Sequence, residues 1–275
     1  GHNALAFTSD GFSITNATQQ DGDLNFGSRP YPTWCWKANG SPSSNTVGDI
    51  ASSVSANTTS GFSVVSYTGT NSAGATVGHG LGSVPKMIIV KNRDNTPGWG
   101  VYHASLGNTK YLQLNATAAE GTASTFWNNT TPTSLVFSIG TSGWMNNSGE
   151  DYVAYCFAEK KGFSKFGSYV GNNGGTDGVF VYTGFKPALV IQKLSSNAGG
   201  YWIIKDSKRS PYNGATAQLE ANTSDAEETN HEIDFLSNGF KTRANGLNQQ
   251  DSGYTYIYMA FAENPLVANT SGGIP

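Results

Sequence analysis

The chain has 275 residues, 37% of them hydrophobic and 13% charged, with a formal net charge of −3. The charged fraction is about half of the usual ~25%, and no cluster of Lys and Arg is present, which argues against a nucleic-acid partner. No apolar run reaches the ~18 residues that a membrane-spanning helix needs, so no membrane insertion is predicted.

The first forty residues predict the second half of a repeated unit. "FTSDGF" at 7–12 matches "FLSNGF" at 235–240, and "YPTWCWKA" at 31–38 resembles a phrase that recurs twice later in the chain. We therefore expect residues 1–40 to form a partial β-sandwich unit. We also expect the sequence to be cut from a longer chain, or the missing strands to come from elsewhere.

The next stretch, 41–60, is rich in Ser, Thr and Asn. Its sequence, "SPSSNTVGDIASSVSANTTS", has the composition of a polar, extended connection. It predicts a linker between the partial unit and the first complete one.

Two complete units are predicted at 61–160 and 161–264, followed by a C-terminal tail at 265–275. "PKMIIVK" at 85–91 aligns with "PALVIQK" at 187–193, and "DYVAYCFAE" at 151–159 aligns with the end of "YTYIYMAFAE" at 254–263. Such self-similarity at a spacing of about a hundred residues indicates an internal repeat. Because the junction "EKKGFSK" is short, the two units are expected to pack closely.

The local pattern is that of strands. Runs of Val, Ile, Tyr, Phe and Trp alternate with Gly, Asn, Ser and Pro at intervals of roughly ten residues, and helical patterns are nearly absent. The predicted fold is all-β, with tandem antiparallel β-sandwich repeats and Gly/Asn/Ser-rich loops. The phrases that end the two complete units, at 151–159 and 254–263, are called the closing phrases. Each is apolar on both faces, which predicts a central strand packed on both sides.

Aligned positions predict the structural core. Cys35 and Cys156 occupy the same slot in successive units and are predicted to be buried free thiols, far apart. The other predicted core residues lie at aligned positions of the two complete units: Trp99, Trp202, Phe157 and Phe261.

Three aromatic residues without aligned copies are the candidates for ligand or receptor binding. Trp127, Trp144 and Tyr212 fall in or beside predicted loops with polar neighbours. Flat rings in such places can stack on sugars or anchor a protein contact.

Catalytic and metal-binding patterns are weak. "DGDLNFG" at 21–27 resembles the start of a calcium loop, but its Gly falls one place late and the twelfth position is Pro32. No pair of carboxylates and no His or Cys constellation stands out. No catalytic residue, metal or cofactor is predicted.

Several phrases resemble a known group of proteins. "GFSVVSYTG", "VGHGLGSVPKMIIVKNRD", "DYVAYCFAE" and "IDFLSNGFKTR" are similar to the repeated domains near the C-terminal end of large virion proteins of marine tailed bacteriophages. The resemblance covers nearly the whole chain. It implies a structural protein of the virion surface, described as tail-fibre-like, and it transfers no catalytic residue.

The same resemblance implies the partners. We expect other virion proteins, a homo-oligomer that is most often a trimer by analogy, and a host surface glycan or outer-membrane protein as the attachment target. A head decoration or fibre-shaft protein without a ligand of its own is the alternative, and a polysaccharide depolymerase is a lesser one.

Overall fold

The computed structural model describes residues 4–8, 11–15 and 29–263, in two compact units, Gly1–Trp36 and Lys37–Pro275. In the first unit, β1 (Ala4–Phe7) and β2 (Phe12–Thr15) form an antiparallel hairpin. The C-terminal tail and the calcium-like phrase at 21–27 lie outside the described residues.

The second unit contains two eight-stranded antiparallel sheets. The strands of its first half (residues 43–158) are β3 Ser43–Asn45, β4 Ser52–Asn57, β5 Phe62–Thr68, β6 Thr76–Gly78, β7 Pro85–Asn92, β8 Gly100–His103, β9 Lys110–Gln113, β10 Gly121–Thr122, β11 Val136–Ser138 and β12 Asp151–Ala158, with the helix α1 at Ser124–Trp127. The strands of its second half (residues 164–262) are β13 Ser164–Val170, β14 Phe180–Tyr182, β15 Pro187–Leu194, β16 Trp202–Asp206, β17 Ala215–Glu220, β18 Glu228–Leu236, β19 Gly239–Thr242 and β20 Thr255–Ala262, with a 3₁₀ turn at Gly175–Asp177.

The all-β prediction is confirmed, since 43% of the described residues are in strands and 3% are in helices. The closing phrases are central strands, also as predicted. β12 pairs with β5 and β7, and β20 pairs with β13 and β15. Both strands therefore have a paired neighbour on each side, and most of their side chains are buried.

The strand orders of the two halves correspond. The first sheet runs β10-β9-β8-β7-β12-β5-β4-β3, and the second runs β13-β20-β15-β16-β17-β18-β19-β14. The order β5-β12-β7-β8-β9 thus matches β13-β20-β15-β16-β17, and the pair β6/β11 matches β14/β19. This correspondence supports the repeat, which stays a prediction until Pro85 is superposed on Pro187 and Phe157 on Phe261.

Matching contacts occur at aligned positions. Tyr67 stacks on Tyr152 with ring centroids 5.3 Å apart, and Tyr169 stacks on Tyr256 at 5.1 Å. All four rings are buried. Stacked aromatic pairs thus join the neighbouring strands of both sheets, β5 to β12 and β13 to β20.

Two lysines at aligned positions hold the loops that follow β7 and β15. The Nζ of Lys91 donates to the carbonyl oxygens of Asn92 (2.8 Å), Asn95 (3.0 Å) and Pro97 (3.1 Å). The Nζ of Lys193 donates to the carbonyl oxygens of Leu194 (2.8 Å), the last residue of β15, and of Gly200 (2.9 Å) in the loop. At 3.4 Å it also donates to that of Thr117 in the first half.

The predicted linker is wrong, because residues 41–60 contain β3 and β4, which extend the first sheet. Ile50 and Val54 are buried in the core. The serines do not prevent burial, since their hydroxyls find backbone acceptors: Ser52 Oγ donates to Gly78 O at 3.1 Å. A short Ser-rich strand and a flexible connection have the same composition.

The two halves pack closely, as the short junction predicts. The ring of Phe157 lies 6.2 Å from those of Phe166 and Phe261, centroid to centroid. All three side chains are buried, so the faces of β12, β13 and β20 that carry them meet in one apolar contact.

Hydrogen bonds cross the same contact. The Trp202 indole N–H donates to Gln113 O at 2.8 Å. His103 Nε2 lies 3.2 Å from Tyr258 O, while its Nδ1 accepts from Ser105 N–H. Burial lowers the pKa of His103 to about 4, so the neutral ring donates through Nε2 and accepts through Nδ1.

Candidate functional site

Trp127, a predicted binding residue, lies in the core. Its exposed fraction is 1%, and its ring meets that of Tyr102 edge to face at a centroid distance of 5.6 Å. The prediction is wrong because the short helix α1 turns both Phe126 and Trp127 into the interior. The polar residues that follow in the sequence gave the impression of an exposed loop.

Trp144 is half-buried. Its ring packs edge to face against Phe126 (5.5 Å) and Tyr111 (6.5 Å), and it covers Gly98, where an added Cβ would lie 2.7 Å from the indole. These contacts give Trp144 a packing role at the border of the core, and its role in binding stays a prediction.

Tyr212 is exposed, with 83% of its surface accessible. The turn that carries it is held on β18 by the neighbouring Asn213, which donates through Nδ2 to Phe235 O (3.2 Å) and accepts from Phe235 N–H (2.9 Å). Tyr212 therefore projects from an anchored turn. Its accessibility agrees with a contact role, and binding itself stays a prediction.

Most of the predicted core residues are buried: Trp202, Phe157, Phe261 and Cys156. Trp99 is half-buried and stacks on Tyr155 at 6.4 Å. Cys35 is exposed, so its predicted burial is wrong. It lies in a stretch, 31–39, that belongs to no strand, whereas Cys156 lies on β12 between β5 and β7.

The two thiols should differ in reactivity. We expect a maleimide reagent to modify Cys35 in the folded protein and Cys156 only after denaturation, because burial removes access and raises the pKa of the Cys156 thiol to about 12. Mass spectrometry should show one adduct without denaturant and two with it. A native adduct on Cys156, or none on Cys35, would contradict this.

An exposed aromatic strip, formed by Phe180 and Tyr182 on β14, was missed at the level of sequence. The exposed fractions of these side chains are 46% and 64%. Val181 between them points into the core, as the alternation of a strand requires. The signal was present in "GVFVYTGF" at 178–185, but an aromatic on a strand is usually covered.

The surroundings of the aromatic strip are flat and electrically balanced. Gly239 lies opposite Tyr182, and a Cβ there would come within 2.1 Å of Val181 O and 3.0 Å of the Phe180 ring. Lys241, opposite Phe180, pairs with Asp177 and lowers the pKa of that carboxyl group. The rings therefore stand beside a compensated ion pair, with no excess charge.

A second ion pair lies further along the same strands. Arg243 Nε is 2.6 Å from Asp234 Oδ2, and Asp234 lies opposite Lys241 on β18. The charges around the strip thus cancel in pairs, which disfavours the capture of a strongly charged ligand.

The corresponding edge of the first half is covered by its own chain. A strap, defined as residues 45–50, lies along β6: Ile50 N–H donates to Thr76 O at 3.0 Å, and a Cβ on Gly78 would lie 2.3 Å from Val47 O. Because β6 paired with β11 corresponds to β14 paired with β19, Tyr182 lies at the position that corresponds to Gly78. Its side chain excludes such a strap, so the strip is left accessible.

Two shallow grooves lie on the first half. One, of about 420 Å³, runs along β3 and β4 and is lined mostly by Ser and Asn. The other, of about 300 Å³, lies beside Arg93 and Asp151. Neither is lined by an exposed aromatic side chain, so the strip on β14 remains the stronger candidate.

His79, like His103, has a structural role in the core. His79 is buried, with Nε2 3.2 Å from Thr133 O and Nδ1 accepting from Leu81 N–H. Within the described ranges, no group of three or more His, Cys, Asp or Glu side chains is arranged to hold a metal ion, and no helix is long and apolar enough to cross a membrane.

Comparison with known proteins gives a family and no function. No curated protein and no solved structure matches the chain. A family model described as a domain of unknown function, DUF7483, matches residues 1–265. The chain therefore belongs to the DUF7483 family.

Proposed function

We propose that the chain is a structural component of a bacteriophage virion surface, tail-fibre-like, that attaches to a host-surface glycan through the aromatic strip. The resemblance of its phrases to virion proteins supports the location on the particle. The observation that carries the attachment role is the exposure of Phe180 and Tyr182 on an ordered strand of a closely packed scaffold.

The chemistry of the strip favours an uncharged sugar. Aromatic rings offer a flat apolar face, and the Tyr182 hydroxyl adds a polar group that can exchange hydrogen bonds with ligand hydroxyls. Lys241 and Arg243 are already paired with Asp177 and Asp234. The rigid strand keeps the rings in place, so little conformational entropy is lost on binding.

Removing the rings should abolish attachment. We expect Phe180→Ala and Tyr182→Ala each to weaken binding to purified host surface polysaccharide at least tenfold, measured by calorimetry, without loss of the folded state, since neither side chain is buried. Leu135→Ala is the matched control, because Leu135 is 58% exposed on the first half. Unchanged affinity in both aromatic variants would exclude the strip as the site.

The alternative, a head decoration or fibre-shaft protein without its own ligand, is favoured by the close packing of the two halves. A whole-particle reconstruction distinguishes tail from head and identifies the neighbouring virion proteins.

The lesser alternative, a depolymerase, predicts shortening of host polysaccharide during incubation, whereas our proposal predicts unchanged polymer length.

A further inference from the structure

The outer edge of β13 offers unpaired backbone groups. At its two ends the ladder with β20 is formed by Gly171 N–H to Tyr254 O and by Ala262 N–H to Phe163 O. Because successive residues of an antiparallel strand point to alternate sides, the odd-numbered residues bond to β20. The N–H and C=O groups of Phe166, Ser168 and Val170 therefore point away from the sheet.

Within the described chain no strand pairs with that edge. Ser168 is exposed, and Val170 exposes 55% of its side chain. Phe166 N–H is met by Glu159 Oε2 at 3.3 Å, a long hydrogen bond. A lysine on an edge strand usually disfavours pairing with another chain. Here the charge of Lys165 is compensated by Glu159, whose Oε1 lies 2.8 Å from the lysine Nζ.

In the first half, the edge that corresponds to the outer edge of β13 is paired with another strand. The corresponding strand β5 is paired along its length with β4, and β4 is paired in turn with β3. These strands come from the segment that precedes β5. β13 is preceded by the short junction 159–163 after β12, which leaves no room for a comparable hairpin. The segment that directly precedes β13 therefore supplies no strand to this edge.

We propose that the edge of β13 is a self-association site, at which β13 of a second copy pairs antiparallel about a two-fold axis through Ser168. A two-fold contact uses the same surface of both partners. In this register Ser168 lies opposite its own copy, and Phe166 lies opposite Val170 of the other chain. The exposed Val170 side chain gains an apolar neighbour, and the neutral Glu159–Lys165 pair creates no repulsion.

The start of β13 limits the register. Ser164 N–H donates to Lys160 O, and its Oγ accepts from Lys160 N–H. This turn closes the edge before Phe166, so the outward-facing backbone groups that a partner can engage extend from Phe166 to Val170. Centring the pair on Ser168 engages all of them, with Glu159 exchanged for a carbonyl oxygen at Phe166.

A cysteine cross-link tests the register. Opposite residues in a hydrogen-bonded antiparallel pair have Cα atoms about 5.5 Å apart, within the range of a disulfide. With the exposed Cys35 removed by Cys35→Ser, Ser168→Cys should give a disulfide-linked dimer on oxidation. In the same background Val170→Cys should remain monomeric on a non-reducing gel, because the two copies of residue 170 would be more than 10 Å apart. Equal cross-linking of both variants, or none of Ser168→Cys, would overturn the proposal.

Sedimentation analysis of the whole chain tests the association itself. We expect a dimer that Val170→Lys and Ser168→Pro each weaken at least tenfold in dissociation constant. Ser168→Pro should preserve the fold, since the N–H that it removes is not bonded to β20. Leu135→Lys, an equally exposed apolar position elsewhere, should leave dimerisation unchanged. A monomer at all concentrations, a trimer, or dimers insensitive to both edge variants would refute the two-fold contact.

Discussion

Replacing Trp202 with Ala is expected to lower the free energy of unfolding by about 4 kcal/mol. The side chain is 1% exposed and fills the contact between the two halves. Its indole N–H donates to Gln113 O in the other sheet. The substitution leaves a cavity and deprives that carbonyl of its donor, and both effects destabilise the folded state.

Two further variants separate these contributions. Trp202→Phe keeps most of the apolar volume and removes the donor, so its loss should be about half as large. Tyr212→Ala, at an exposed position, should change stability by less than about 0.5 kcal/mol. Urea unfolding followed by circular dichroism measures all three. A loss below about 1 kcal/mol for Trp202→Ala would show that the halves do not depend on this contact.

Stability should rise by about 2 kcal/mol or more between pH 7 and pH 9, because two buried lysines release protons in this range. Lys205 is fully buried, and its Nζ donates to the backbone oxygens of Thr216 and Asn230. Burial, with a smaller contribution from Arg209, lowers its pKa to about 7. Burial lowers the pKa of Lys193 to about 8.

Stability rises with pH because the pKa values of these two lysines are lower in the folded chain than in the unfolded chain. Below pH 7 both lysines are charged in the folded and the unfolded chain, so the penalty for burying the charges is fully present. Between pH 7 and about 10 the folded chain loses protons that the unfolded chain retains, which favours folding. Higher pH reverses the trend, because burial raises the pKa of Tyr152, Tyr256 and Tyr258 to about 12, and these phenols ionise first in the unfolded chain.

Chemical denaturation at a series of pH values measures this profile. Lys205→Met removes one of the two titrating groups and should reduce the rise by roughly half, whatever its effect on stability at pH 7. Lys241→Met is a control, because Lys241 lies at the surface beside Asp177. A flat profile in the native protein, or the same rise in Lys205→Met, would show that these lysines do not titrate in the folded state.

Periodicity in the sequence predicted the all-β fold and the central strands β12 and β20, but it did not predict β3 and β4. Most side chains of the closing strands β12 and β20 are apolar and buried. The aligned prolines are explained as well: Pro85 lies opposite Ala158, and Pro187 opposite Ala262, each beside a shift in register. A proline is tolerated where the ladder is already irregular.

Composition did not predict which residues are covered. Trp127 precedes a run of polar residues and Tyr182 ends an apolar run, yet Trp127 is buried on a turn of helix and Tyr182 is exposed. The difference depends on distant parts of the chain: the strap covers the edge of β6 in the first half, and Tyr182 replaces Gly78 at the corresponding place in the second. Such coverage is decided by tertiary packing, which local sequence does not encode.

The lysines that bind loop carbonyls, Lys91 and Lys193, do for the chain what a calcium ion does in many loop-rich proteins. Each gathers backbone oxygens around one positive charge. Because this cation is covalently attached, neither dilution nor a chelator can remove it. The hold of these two lysines on their loops therefore does not depend on the calcium content of the medium.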